Sequence, residues 1–165
     1  MAASAPEGAT LGADIERVPA EVFAGFDDFV LAPEERTRPD GPELAGSELA
    51  DSGLTDAGPI AAELTDAELS DAGRIRLWVA KEAALTASGL GLALDPSSVR
   101  LVPADVRDTA GFAGILRAEC AGYPVVHGLR VTPVPAPEGY AAAVAAPAGL
   151  TARAVSLGEI FATKG

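Results

Sequence analysis

The chain has 165 residues, with 12 basic against 24 acidic side chains for a net charge of -12, 48% apolar residues and only 5% aromatics. That length and apolar share fit one compact domain whose core rests on Leu, Val, Ile and many alanines rather than on rings. The charge excludes a duplex-binding role, which needs a basic face, and a single cysteine, Cys120, excludes a disulfide framework or a thiolate metal site.

Residues 1–9 read as a flexible N-terminus. They carry no basic region followed by an apolar run, so no secretion signal is expected, and no run of 18 apolar residues follows to span a bilayer. A cytoplasmic protein with no nucleic-acid and no membrane partner is the expectation. One domain is expected over 10–165. Residues 10–18 are an extended candidate. Apolar Val22, Phe23, Phe26, Phe29 and Val30, with Pro19 at the start, predict a helix over 20–31. Pro33, Glu34 and Glu35 suit the first turn of a second short helix. Over 40–71 nine residues are acidic, and no Lys or Arg lies between Arg38 and Arg74. Loosely repeated words beginning at Leu54, Leu64 and Leu69 are too irregular for a solenoid, so this stretch reads as an acidic, solvated insertion.

A strong helix is predicted over 72–88. Ile75, Trp78, Val79, Ala83 and Leu85 supply its apolar face, Gly89 sits where a C-terminal cap belongs, and Asp66, Ser70 and Asp71 are candidate N-caps. The remainder reads as β, with strand candidates over 98–102, 114–118, 125–134 and 140–145. The Pro-Ala-Pro-Glu-Gly turn at 135–139 makes the last two an antiparallel pair. A final short helix is expected over 156–162. Helices first and consecutive strands afterwards give an α+β class, a small antiparallel sheet against one long helix and shorter ones.

Two clusters carry chemistry. In an extended Gly12-Ala13-Asp14-Ile15-Glu16, the carboxylates of Asp14 and Glu16 leave the same face. Magnesium is a natural occupant between such groups, because it takes one or two carboxylates and fills its other positions with water and phosphate oxygens. A solvated strand edge presents the same pair, so these residues alone do not decide the matter. On the predicted long helix, Trp78 and Glu82 are one turn apart and share a face. A surface carboxylate beside a core anchor has that spacing too. Cys120 reads as a small buried hydrophobe, and His127, the one histidine, as an ordinary strand residue.

The order of the two clusters is more specific than either. Gly-x-Asp-x-Glu at 12–16, a variable stretch, Trp-x-x-Lys-Glu-Ala at 78–83 and Gly-x-Gly-Leu at 89–92 resemble the 4'-phosphopantetheinyl transferase superfamily. Ser98-Val99-Arg100-Leu101 resembles that family's first strand after the long helix, and the Pro137–Val144 segment its penultimate turn and last core strand. The likeness covers about 10–147 and is closest to the C-terminal half of the large, two-half members. It implies a single half of that fold and a magnesium-dependent transfer of 4'-phosphopantetheine from coenzyme A to a serine of an acyl or peptidyl carrier protein. By the same likeness Asp14, Glu16 and Glu82 are metal ligands, with Glu16 binding directly or through water. Glu82 is also the base towards the serine, and Lys81 is a catalytic and phosphate-contacting cation.

Three features depart from the pattern. The family's second lysine is Thr86 here, which keeps a place among the coenzyme A contacts but offers only a hydroxyl. No first half with a Ser-His segment and basic coenzyme A contacts stands upstream of Gly12, which implies a homo-oligomer or a separate complementary half to complete the site. The charge of -12 also disfavours encounter with acidic carrier proteins. The alternative is a catalytically degenerate homologue or truncated half that binds a partner or coenzyme A without turnover.

Overall fold

The computed structural model describes residues 10–36, 70–104 and 115–150. Their centre is α3 (Asp71–Ser88), the predicted long helix with one more residue at its start. Its ends follow local chemistry. Ser70 is extended and its Oγ accepts the Gly73 N–H at 3.1 Å, while Gly89 takes the left-handed conformation, φ 76°, that a side chain would resist. Burial goes further round this helix than one stripe, taking in Ile75, Leu77, Val79, Ala80, Ala83, Ala84, Leu85 and Ala87. A helix enclosed on most sides has to be held by its neighbours rather than by an amphipathic pattern.

Those neighbours are a five-stranded antiparallel sheet and two short helices. The strands are β1 (Gly12–Arg17), β2 (Arg100–Pro103), β3 (Leu116–Glu119), β4 (Arg130–Pro133) and β5 (Tyr140–Ala146), in the order β1-β5-β4-β3-β2. Among the described residues the first strand, β1, therefore lies at one edge beside the last, β5. In β5, Ala141, Ala143 and Ala145 join the core with α3, and Val131, Leu116, Ala118 and Leu101 extend it across the sheet. The expected 135–139 turn is present: the Tyr140 N–H donates to the Pro137 carbonyl at 3.0 Å, Gly139 has φ 76°, and β4 and β5 pair antiparallel. The class is mixed α and β, with one long helix on an antiparallel sheet.

Two elements differ from the sequence reading. The helix expected over 20–31 is only α1 (Phe26–Val30). Gly25, at φ 88°, reverses the chain before the helix begins, so Val22 and Phe23 lie on an irregular approach. The strand expected over 125–134 is only β4. Residues 123–127 turn back on themselves, with the Val126 and His127 N–H groups both donating to the Tyr123 carbonyl, and Gly128 has φ 88°. His127 is therefore an exposed turn residue whose Nδ1 accepts the Cys120 N–H at 3.4 Å, and not a strand residue. Cys120 is buried, as its apolar character suggests.

The second short helix, α2 (Pro33–Arg36), starts at the expected proline. Glu35 reaches back to accept the Ala32 N–H at 2.7 Å, a capping-box arrangement with proline in the first turn. The expected N-terminal segment 1–9, the insertion expected over 40–71 as far as residue 69, with its candidate cap Asp66, and the helix over 156–162 lie outside the described residues.

Candidate functional site

The site is built where β1 crosses α3. Register sets Gly12, Asp14 and Glu16 opposite Ala145, Ala143 and Ala141, the β5 residues of the core, so all three occupy the face covered by α3. Gly12 makes the crossing close. A methyl group placed there would stand 2.0 Å from the Ala83 carbonyl oxygen and 2.3 Å from the Ala87 nitrogen. With strand and helix backbones in contact, the next inward residue, Asp14, meets the helix beside Glu82. Sequence reasoning took Gly12 only as part of a word. The signal that identifies its role is its position two residues before Asp14, on the same face.

Asp14 and Glu82 are both half-buried, and each has one enclosed carboxylate oxygen, Oδ2 and Oε1 respectively, without a hydrogen-bond partner. Burial pushes the Asp14 carboxyl above its ordinary range; a backbone hydrogen bond from Ile15 opposes this and the Glu16 charge adds to it. Burial also raises Glu82, and the charges of Asp14 and Glu16 push it in the same direction. Three carboxylates thus share a field, and a buried acceptor without a donor costs about 1–3 kcal/mol. Glu16 is the exposed member, at the mouth of the group.

This is an arrangement that a hard cation relieves. Among the described residues no three His, Cys, Asp or Glu side chains form a ready-made metal cage. Two carboxylates with free oxygens are nevertheless the donor set that magnesium uses when water and phosphate supply the rest.

The neighbouring residues divide. Thr86, one turn beyond Glu82, is exposed. Lys81 points away from the carboxylates and is fully buried, its Nζ donating to the Val30 carbonyl at 2.6 Å and to Glu35 Oε2 at 2.5 Å. Burial lowers the affinity of this ammonium for its proton, and the Glu35 charge and hydrogen bond act against that. In this structure the ammonium expected to contact phosphate is enclosed and engaged by Val30 and Glu35. Sequence spacing could not show this, because the partner lies 46 residues away.

Beside Glu16, a cleft of about 620 Å³ opens between residues 17–23 and α3, lined on its apolar side by Val22, Phe23, Phe26, Ile75 and Trp78. Trp78 is partly buried and packs on Phe29 and Phe26 with ring centroids 5.0 and 5.8 Å away. It anchors the helix one turn before Glu82. No helix among the described residues is long and apolar enough to cross a membrane. No protein-family model matches the chain, and neither the curated proteins nor the solved structures compared with it contain a match.

Proposed function

We propose that the chain is the carboxylate-bearing half of a magnesium-dependent 4'-phosphopantetheinyl transferase of the holo-acyl-carrier-protein synthase type. It would move 4'-phosphopantetheine from coenzyme A to a serine of an acyl or peptidyl carrier protein, in a site completed by a second subunit. The observation that carries the reading is that Asp14 and Glu82, from two motifs far apart in the chain, lie near enough for the Asp14 charge to act on Glu82, and each has an enclosed oxygen that lacks a donor. Asp14 and Glu82 would hold the ion, and Glu16 would join from the exposed side or through water. Held by these residues, magnesium would supply charge neutralisation for the coenzyme A pyrophosphate and the leaving 3',5'-ADP.

The residues of this chain do the rest. The serine oxygen bonds to the phosphorus of the phosphopantetheine arm, the bond from that phosphorus to the 3',5'-ADP oxygen breaks, and the serine proton passes to a Glu82 carboxylate oxygen. Thr86, exposed one turn on, offers a hydroxyl to a coenzyme A phosphate. The buried Lys81 leaves the remaining phosphate charge to basic groups of the second subunit, either another copy or a separate complementary half.

Incubating an apo carrier protein with this chain, coenzyme A and magnesium tests the proposal by mass spectrometry. A gain of one phosphopantetheine on the serine supports it. No gain with the chain, with its Thr86→Lys variant, or after addition of a basic first half from a two-half transferase would count against catalysis. One observation favours a second reading, a homologue that binds coenzyme A or a partner without turnover: neither residue 81 nor residue 86 presents a charge beside the carboxylates.

A further inference from the structure

We infer that the buried Glu35–Lys81 pair is a register pin for α3, and that through it Glu35 and Lys81 are positioning residues for Glu82. The inference rests on the reading of Asp14 and Glu82 as a divalent-ion site. On its sheet side α3 has little to fix its rotation or its axial position. Ala83 and Ala87 lie against Gly12, the facing core residues of β5 are Ala141, Ala143 and Ala145, and Ala80 and Ala84 are buried on the helix as well. Methyl groups on methyl groups form shallow ridges and grooves, so a small slide or rotation loses little interlocking. Yet Glu82 must meet Asp14 closely enough for two oxygens to share one ion.

Trp78 and the Arg74–Asp27 ion pair, with bonds of 2.7 and 3.1 Å, hold the first half of α3 against α1, and the interlock nearest the site comes from the residue next to Glu82. Lys81 is 0% exposed, and its Nζ donates to the Val30 carbonyl at the end of α1 and to Glu35 Oε2 in α2. The same Glu35 oxygen accepts the Ala32 N–H at 2.7 Å, and Oε1 accepts the Leu101 N–H of β2 at 3.0 Å. The ion pair therefore ties α1, α2, β2 and α3 together at residue 81, the lysine reaching α1 and the carboxylate reaching β2, and every bond in the tie is directional. A buried ion pair seldom adds net stability over well-packed apolar side chains, and fixing register is the best-attested use of one. Rotating or sliding α3 to move Glu82 breaks this tie.

The test is a double-mutant cycle with Mn²⁺ as the probe, its affinity read by electron paramagnetic resonance on the full chain. Lys81→Met, Glu35→Gln and the double variant are each checked for native circular dichroism. None of them removes a residue of the Asp14–Glu82 pair. Both single variants should lose about 10–100-fold in Mn²⁺ affinity, the range for residues that orient metal ligands without touching the metal. The double variant should be no weaker than the worse single one, because the two residues act as one device. Folded single variants with Mn²⁺ affinity within twofold of the parent would overturn the inference while leaving the metal reading intact. A Lys81→Met chain that loses coenzyme A binding while Glu35→Gln does not would make Lys81 a phosphate contact and also overturn it. A parent chain that binds no Mn²⁺ removes the metal reading and this inference together. If Lys81→Met does not fold, Glu35→Asp carries the test: a pin shortened by one methylene loses Mn²⁺ affinity, and a bystander does not.

Discussion

Replacing Gly12 by alanine tests the geometry that makes the site. The added methyl would meet Ala83 O at 2.0 Å, Ala87 N at 2.3 Å and Ala87 Cα at 2.9 Å, where ordinary contact begins at 3.4 Å. All three atoms are helix backbone, so no side chain can swing aside, and β1 has to retreat from α3 by about 1.4 Å. Overpacking of this kind costs about 1–3 kcal/mol, and the rigid obstacle puts Gly12→Ala at the upper end. The smaller unfolded-state entropy of alanine returns about 0.4–1 kcal/mol, leaving roughly 2 kcal/mol of net destabilisation. For a chain of this size that lowers Tm by about 4–8 °C. The retreat also carries Asp14 away from Glu82, so Mn²⁺ affinity should fall together with Tm. Thermal melts and Mn²⁺ titration of the same sample check both. A melt within 1 °C of the parent with unchanged Mn²⁺ affinity would refute the close crossing and its role in forming the site.

The carboxylate pair has a pH signature. Because the folded pKa values of Asp14 and Glu82 lie above their ordinary 3.8 and 4.5, the native state binds more protons than the unfolded one over that interval. Stability should therefore fall as pH rises from about 4 through the raised values, and urea melts across that range should show a shallower slope for Glu82→Gln. Magnesium should offset the loss at neutral pH: at a hundred times its dissociation constant a ligand adds about 2.7 kcal/mol. Melts with magnesium and with chelator should differ for the parent and coincide for Asp14→Asn. Thr86→Lys places an ammonium on the exposed helix surface one turn from Glu82. A charge-assisted hydrogen bond of about 1.5–3 kcal/mol should then tighten 3',5'-ADP binding at least tenfold, as read by calorimetry in the presence of magnesium. Equal affinities would mean that position 86 does not face the nucleotide.

What could be read from sequence follows the range of the interactions involved. Helix α3 was legible to within one residue because its caps, Ser70 and Gly89, act over three or four positions. The β4–β5 turn was legible for the same reason, through Gly139. The helix expected over 20–31 is shorter because Phe23 has helical spacing to Phe26 but lies on the irregular approach before Gly25, its ring meeting that of Phe26 edge to face at 5.2 Å. Likewise Val125, 57% exposed, sits in a turn despite its β propensity, because Gly128 and the Tyr123 carbonyl govern that stretch locally. At the site, the shared face of Asp14 and Glu16 was a matter of period two. That Glu82 meets them, and that Lys81 does not, depends on long-range packing that no local pattern encodes.

The contrast between two glutamates sets the Asp14 and Glu82 carboxylates apart from the other buried carboxylate described. Glu35 is well enclosed, and both its oxygens are engaged, by Ala32 N, Leu101 N and Lys81 Nζ. This chain can therefore satisfy a buried carboxylate fully, with backbone donors and a dedicated cation. Glu82 is the next residue after that cation, yet Lys81 turns away from it, and Glu82 Oε1 is left enclosed without a donor, within the field of an Asp14 whose Oδ2 is in the same state. Adjacent positions on one helix thus follow opposite rules, one satisfied and one not. Violations of polar satisfaction of this kind are expected where a site awaits a ligand rather than in a structural core. Because the unsatisfied pair consists wholly of hard oxygen donors, a hard cation would restore the balance, as the proposed function requires.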